Sequence, residues 1–118
     1  MFDYNSYPFI GIGGIGISAI ARMLFLRGKK VSGSDNSESE ITEDLKKIGI
    51  PVSIGHKAEN LSKETEAVIY TIAILEGNSE LREAKKRKIT CISYPEALGE
   101  LSKKMFTVAV SGTHGKTT

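Results

Sequence analysis

Residues 8–35 read PFIGIGGIGISAIARMLFLRGKKVSGSD. The first six, "PFIGIG", are a short apolar run ending in glycines. In the segment that follows, Ile17, Ile20, Ala21, Leu24 and Phe25 recur at helical spacing. Gly28 closes that helix, because glycine takes the left-handed conformation readily. "KKVSGSD" then reads as a second strand. A strand, a glycine-rich turn, a helix and a second strand make the repeating unit of a parallel α/β sheet.

The alternation continues outward from this unit. "SEITEDLKKIG" reads as an amphipathic helix closed by Gly49, and "PVSIG" as a third strand with Pro51 at its beginning. "EAVIYTIAI" holds a fourth strand, apolar enough to be buried on both faces. "NSELREAKKRK" is a helix with a basic end, "ITCISY" a fifth strand, and "PEALGELSKK" a helix with proline near its first turn. "MFTVAVSG" reads as a sixth strand. The expected fold class is α/β: a Rossmann-like, doubly wound parallel sheet in a three-layer α/β/α arrangement. One boundary falls near Lys103–Lys104. It separates a domain at residues 1–104 from residues 105–118, the strand and loop that begin a second domain.

The 118 residues carry 16 basic and 14 acidic side chains, a net charge of +2. That balance argues against a nucleic-acid or membrane partner. One cysteine, Cys91, excludes an internal disulfide and fits a reducing, cytoplasmic setting. It reads as a small core residue of a buried strand. No apolar run is long enough to span a bilayer, and residues 1–9 do not read as a secretion signal.

Two glycine-rich turns carry the chemistry. Gly11, Gly13 and Gly16 satisfy G-x-G-x-x-G between a strand and a helix. Gly11 permits the tight turn, Gly13 a close approach by a diphosphate, and Gly16 close packing of the helix on the sheet. The amides of Gly14, Ile15 and Gly16 would face the anion, aided by the helix dipole. The alternative is a glycine-rich turn without a ligand. Asp35 ends the next strand, where a carboxylate reaches a ribose hydroxyl; the alternative is a cap or turn carboxylate. NAD and a UDP-sugar fit this turn equally well.

The second turn is "SGTHGKTT", Ser111–Thr118. Gly112 and Gly115 permit the bend, Lys116 is placed for β- and γ-phosphates, and the Thr117 hydroxyl for Mg²⁺. The ordinary phosphate loop has glycine where Val110 stands, so this is a variant. His114 is either a phosphate or substrate contact or a solvent-exposed loop histidine.

Together, "GIGGIGISAIARMLFLRGKKVSGSD" and "SGTHGKTT" closely resemble the opening region of the Mur ligases. "GH" at Gly55–His56, "TIAI" at Thr71–Ile74, "NSE" at Asn78–Glu80 and "EALGELS" at Glu96–Ser102 extend the resemblance over residues 10–118. The resemblance implies a three-domain, ATP- and Mg²⁺-dependent ligase of peptidoglycan synthesis. Its implied reaction joins L-alanine to UDP-N-acetylmuramic acid through an acyl phosphate. Gly13, Gly14, Ile15 and Gly16 then resemble the diphosphate-binding turn, and Asp35, His56, Thr71 and Ala73 part of the uridine pocket. Gly112, Thr113, His114, Gly115, Lys116, Thr117 and Thr118 resemble the ATP loop, with Lys116 and Thr117 as its catalytic pair and Thr117 on the metal.

The chain departs from many relatives at Ile17 (methionine there), at Ser79 ("NSE" for "NPE") and at Tyr94–Pro95, where many have an Arg-Ala pair. The last change removes a cation from the carboxyl edge of the sheet. The expectation is a fragment, the UDP-sugar-binding domain plus the first strand and loop of the ATPase domain, inactive alone. An apolar strand without its own sheet would also favour a homodimer through that edge. Three alternatives are a related ligase that recycles tripeptide onto UDP-muramic acid, an NAD-binding module and a non-catalytic nucleotide-sensing domain.

Overall fold

A computed structural model describes residues 4–73 and 77–112, the last nine of these as backbone only. Among the described residues the strands are β1 (Ser6–Ile10), β2 (Lys30–Asp35), β3 (Val52–Ile54), β4 (Ala67–Tyr70) and β5 (Thr90–Ser93). The helices are α1 (Ile15–Leu26), α2 (Glu40–Ile48), α3 (Ser79–Lys86) and α4 (Tyr94–Gly112), with a 3₁₀ turn at Ala58–Asn60. All strand pairs are parallel, in the order β3-β2-β1-β4-β5. The chain builds outward from β1 to β3, then returns to lay β4 against the other side of β1. That reversal between β1 and β4 is the switch point of the sheet.

Each sheet face has its own core. Tyr7, Phe9, Ile69 and Ile92 point to one face and pack with Ile17, Ile20, Ala21 and Leu24 of α1, Leu45 of α2, and Ala97 and Leu101 of α4. Ile10 and Val68 point to the other and pack with Leu61 and with Leu81 and Ala84 of α3. This is the expected three-layer α/β/α arrangement. Ala67, Val68 and Ile69 are all buried, as the two-faced reading of β4 requires. Cys91 lies in β5, half-buried against the second core.

Local chemistry sets the helix ends. Ser39 and Thr42 exchange hydrogen bonds in a capping box at α2, and Asn78 Oδ1 accepts from the amides of Glu80 and Leu81 at α3. At α4, Glu96 Oε1 accepts from the amide and the hydroxyl of Ser93, and the Glu96 amide donates back to Ser93 Oγ. Gly49 ends α2 at φ 108°, and Gly28 follows α1 at φ 87°. Lys88 takes the same left-handed region after α3, at φ 60°, without glycine's freedom.

The C-terminal segment differs from expectation. Residues 105–112 are not a strand; α4 runs from Tyr94 through Gly112 without a break at Lys103–Lys104. A strand must find backbone partners on a neighbouring strand, and none pairs with this segment among the described residues. A helix makes those bonds within itself, so the preceding helix propagates. The strand from which a homodimer was expected is thus helical over residues 105–112. No described helix is long and apolar enough to cross a membrane.

Candidate functional site

The ends of three neighbouring strands converge on one cleft. Gly11, Gly13 and Gly14 follow β1, Asp35 ends β2 with Asn36 just after it, and Thr71 and Ala73 follow β4. His56, two residues beyond β3, completes the lining of a space of ≈ 310 Å³. The cleft thus sits at the switch point, beyond the carboxyl ends of the strands. It gathers Gly13, Gly14, Asp35, His56, Thr71 and Ala73 from the expected set. β4 stops at Tyr70, so Thr71 and Ala73 lie in the loop past its end; the Thr71 amide still donates to the Ile10 carbonyl at 3.1 Å.

The glycine turn is held from below. The amides of Gly11 and Ile12 both donate to the Ser34 carbonyl, at 2.8 and 2.9 Å. Gly33 makes room for Ile12, whose side chain fills the space a Cβ there would need. Gly13 is required for a similar reason: a Cβ would stand 2.7 Å from Asp35 Oδ2. A Cβ at Gly16 would meet the Tyr94 hydroxyl of α4. Tyr94 of α4 therefore lies against the third glycine of the turn.

Asp35 faces the cleft, but its carboxylate serves the turn. Oδ2 accepts from the Gly13 amide at 2.8 Å and Oδ1 from the Asn36 amide at 2.8 Å. Both donors are backbone amides of turns, one before α1 and one after β2. α1 starts differently from the other helices. Its N-cap is Gly14, which offers no side chain, and its first turn has no acidic residue. The first amides of α1, Ile15 and Gly16 among them, therefore keep their positive end free for an anion. Ile15 is 83% exposed, so the approach to those amides is open.

A buried polar network adjoins the cleft and was not foreseen from the sequence. Glu80, in the first turn of α3, is 1% exposed. Its Oε1 lies 2.8 Å from His56 Nδ1 and accepts from Ser34 Oγ at 2.5 Å. Its Oε2 accepts from Asn60 Nδ2 at 2.6 Å, while the same amide donates to the Gly55 carbonyl at 3.1 Å. Ser79 Oγ donates to the His56 carbonyl at 2.9 Å. The nearest sequence signal was a glutamate just after a helix cap, which ordinarily serves the helix dipole in solvent. Gly112 closes α4. Thr113, His114, Gly115, Lys116, Thr117 and Thr118 lie outside the described residues, as does Ile74. No cluster of three metal-ligating side chains occurs among the described residues.

An open parallel sheet whose switch point carries a glycine turn and an uncapped helix start defines a Rossmann-like domain. Comparison with known proteins narrows this class. The family model described as "Mur ligase family, catalytic domain" matches residues 6–105. The UDP-N-acetylmuramate–L-alanine ligase of Aquifex aeolicus is 50% identical over 114 residues, 97% of this chain and 25% of that protein. The enzyme of that name from Bdellovibrio bacteriovorus is 45% identical over 116 residues, 98% of this chain and 25% of that protein. A crystal structure of UDP-N-acetylmuramate-alanine ligase from Thermotoga maritima superimposes with a TM-score of 0.80 at 34% identity, covering 84% of this chain and 23% of that one. The chain belongs to the Mur ligase family. It spans about a quarter of the length of the curated relatives it matches.

Proposed function

We propose that this chain is the UDP-N-acetylmuramic-acid-binding domain of an ATP-dependent ligase that joins L-alanine to that UDP-sugar. The observation that carries the reading is the switch-point cleft, where an uncapped α1 start stands beside His56, Thr71 and Asp35. The diphosphate lies on the amides that open α1, where helix dipole and orphan N–H groups favour an anion. The nucleoside lies toward His56, Thr71 and Ala73. Asp35 holds Gly13 in place and so shapes the turn.

Residues 112–118 carry the donors an ATP·Mg²⁺ site needs: glycine amides, the Lys116 ammonium and the Thr117 hydroxyl. ATP, a co-substrate, activates the sugar's lactyl carboxylate as an acyl phosphate for attack by the alanine amine. We place the reaction in the cytoplasm, and residues 1–104 and 105–118 in successive domains of the ligase.

Calorimetric titration with UDP-N-acetylmuramic acid, with NAD in parallel, tests the reading. Binding of the UDP-sugar alone is expected. Binding of NAD alone, or of neither, would overturn it for this chain.

A further inference from the structure

The buried Glu80 has no role in the function proposed above. It is a carboxylate, an acceptor only, and three donors surround it: the Ser34 hydroxyl, the Asn60 amide and the His56 ring. A bare Nδ1 would face Glu80 Oε1 lone pair to lone pair at 2.8 Å. Nδ1 therefore carries the proton. It also lies 3.0 Å from Ser34 Oγ, so that hydrogen is shared between the two oxygens. Nε2, across the ring, has no hydrogen-bond partner among the described residues. His56 lines the cleft, and its side chain is 18% exposed.

We infer that Glu80 is a positioning residue for ligand recognition: it fixes His56 as the Nδ1–H tautomer and turns Nε2 into the cleft as an acceptor. The ligand group so recognised is a donor on the nucleoside half, a ribose hydroxyl or a base imide N–H. The geometry is the arrangement seen wherever one imidazole nitrogen is anchored so that the other can act. It comes from three separate chain segments: β2 supplies Ser34, the crossover after β3 supplies His56 and Asn60, and α3 supplies Glu80. This inference rests on the cleft being the UDP-sugar site.

Glu80→Gln removes the device with little change of shape. One amide carbonyl cannot serve both sides. Asn60, tied also to the Gly55 carbonyl, keeps that carbonyl, and the new NH₂ turns toward His56. Nδ1 must then accept, and the proton moves to Nε2. Long-range ¹H–¹⁵N spectra of the imidazole read the tautomer directly, and calorimetry with UDP-N-acetylmuramic acid reads affinity. The wild-type chain is expected to show Nδ1–H. Glu80→Gln is expected to show Nε2–H and to bind about tenfold more weakly. In the His56→Ala background, Glu80→Gln is expected to cost nothing further.

Three results would overturn the inference while leaving the UDP-sugar reading intact: Nε2–H in the wild type, unchanged affinity in Glu80→Gln, or additive losses in the double variant. The wild-type tautomer decides the matter even if Glu80→Gln fails to fold. Absence of UDP-sugar binding by the wild-type chain would remove both readings.

Discussion

Gly13 has a neighbour that makes its lack of a side chain a requirement. A Cβ there would meet Asp35 Oδ2 at 2.7 Å and Thr42 Cγ2 at 3.3 Å. Gly13→Ala is expected to break the Gly13–Asp35 hydrogen bond and destabilise the fold by about 1–3 kcal/mol. It should also weaken UDP-sugar binding, since the turn can no longer hold its shape; urea denaturation and calorimetry measure the two effects. Cys91 shows the opposite case, a reactive group whose thiolate form its surroundings disfavour. Burial pushes its thiol above the ordinary range, and Lys85 offsets only part of that effect. Alkylation by iodoacetamide near neutral pH is expected to be slower than that of a free small thiol. A faster reaction would contradict the half-buried position in β5.

Elements depend on their ends, and α4 illustrates how pH enters. The Ser93 amide and hydroxyl hold the Glu96 carboxyl below the usual glutamate range. A depressed folded value means that the ionised cap stabilises the helix above the unfolded value, about 4.3, and that this contribution is lost as pH falls through the folded one. Glu96→Gln should therefore flatten the decline of the urea midpoint between about pH 6 and about pH 3. An unchanged slope would show that the cap contributes nothing ionic. The Gly28 and Gly49 stops are visible in the sequence. What failed at this scale is the far end of α4. "FTVAV" has the β-branched and aromatic content of a strand, but strand preference depends on a neighbouring strand to pair with.

At the scale of the whole molecule, α1 is the keystone between sheet and helices. Leu24 is fully buried in the larger core. Leu24→Ala is expected to cost about 2–5 kcal/mol, a large part of the stability of a domain this size. A loss under about 1 kcal/mol would mean that the α1 face is less tightly packed than the structure shows.

Several features are legible in the amino-acid sequence alone. Helical spacing in residues 17–25, glycines at the strand-to-helix turn and apolar runs at regular intervals set the α/β class and the parallel sheet. These are local signals, because each depends on periodicity and backbone freedom within a few residues. The same turn marked Gly13 and Gly14, and the resemblance added His56, Thr71 and Ala73, all of which the cleft gathers. Only the tertiary structure decided what each side chain does there. It tied Asp35 to the Gly13 amide, laid Tyr94 against Gly16, and buried Glu80 against His56, Ser34 and Asn60. Those contacts join residues 20 to 78 positions apart, and their formation depends on strand order and crossover path, to which no local pattern is sensitive.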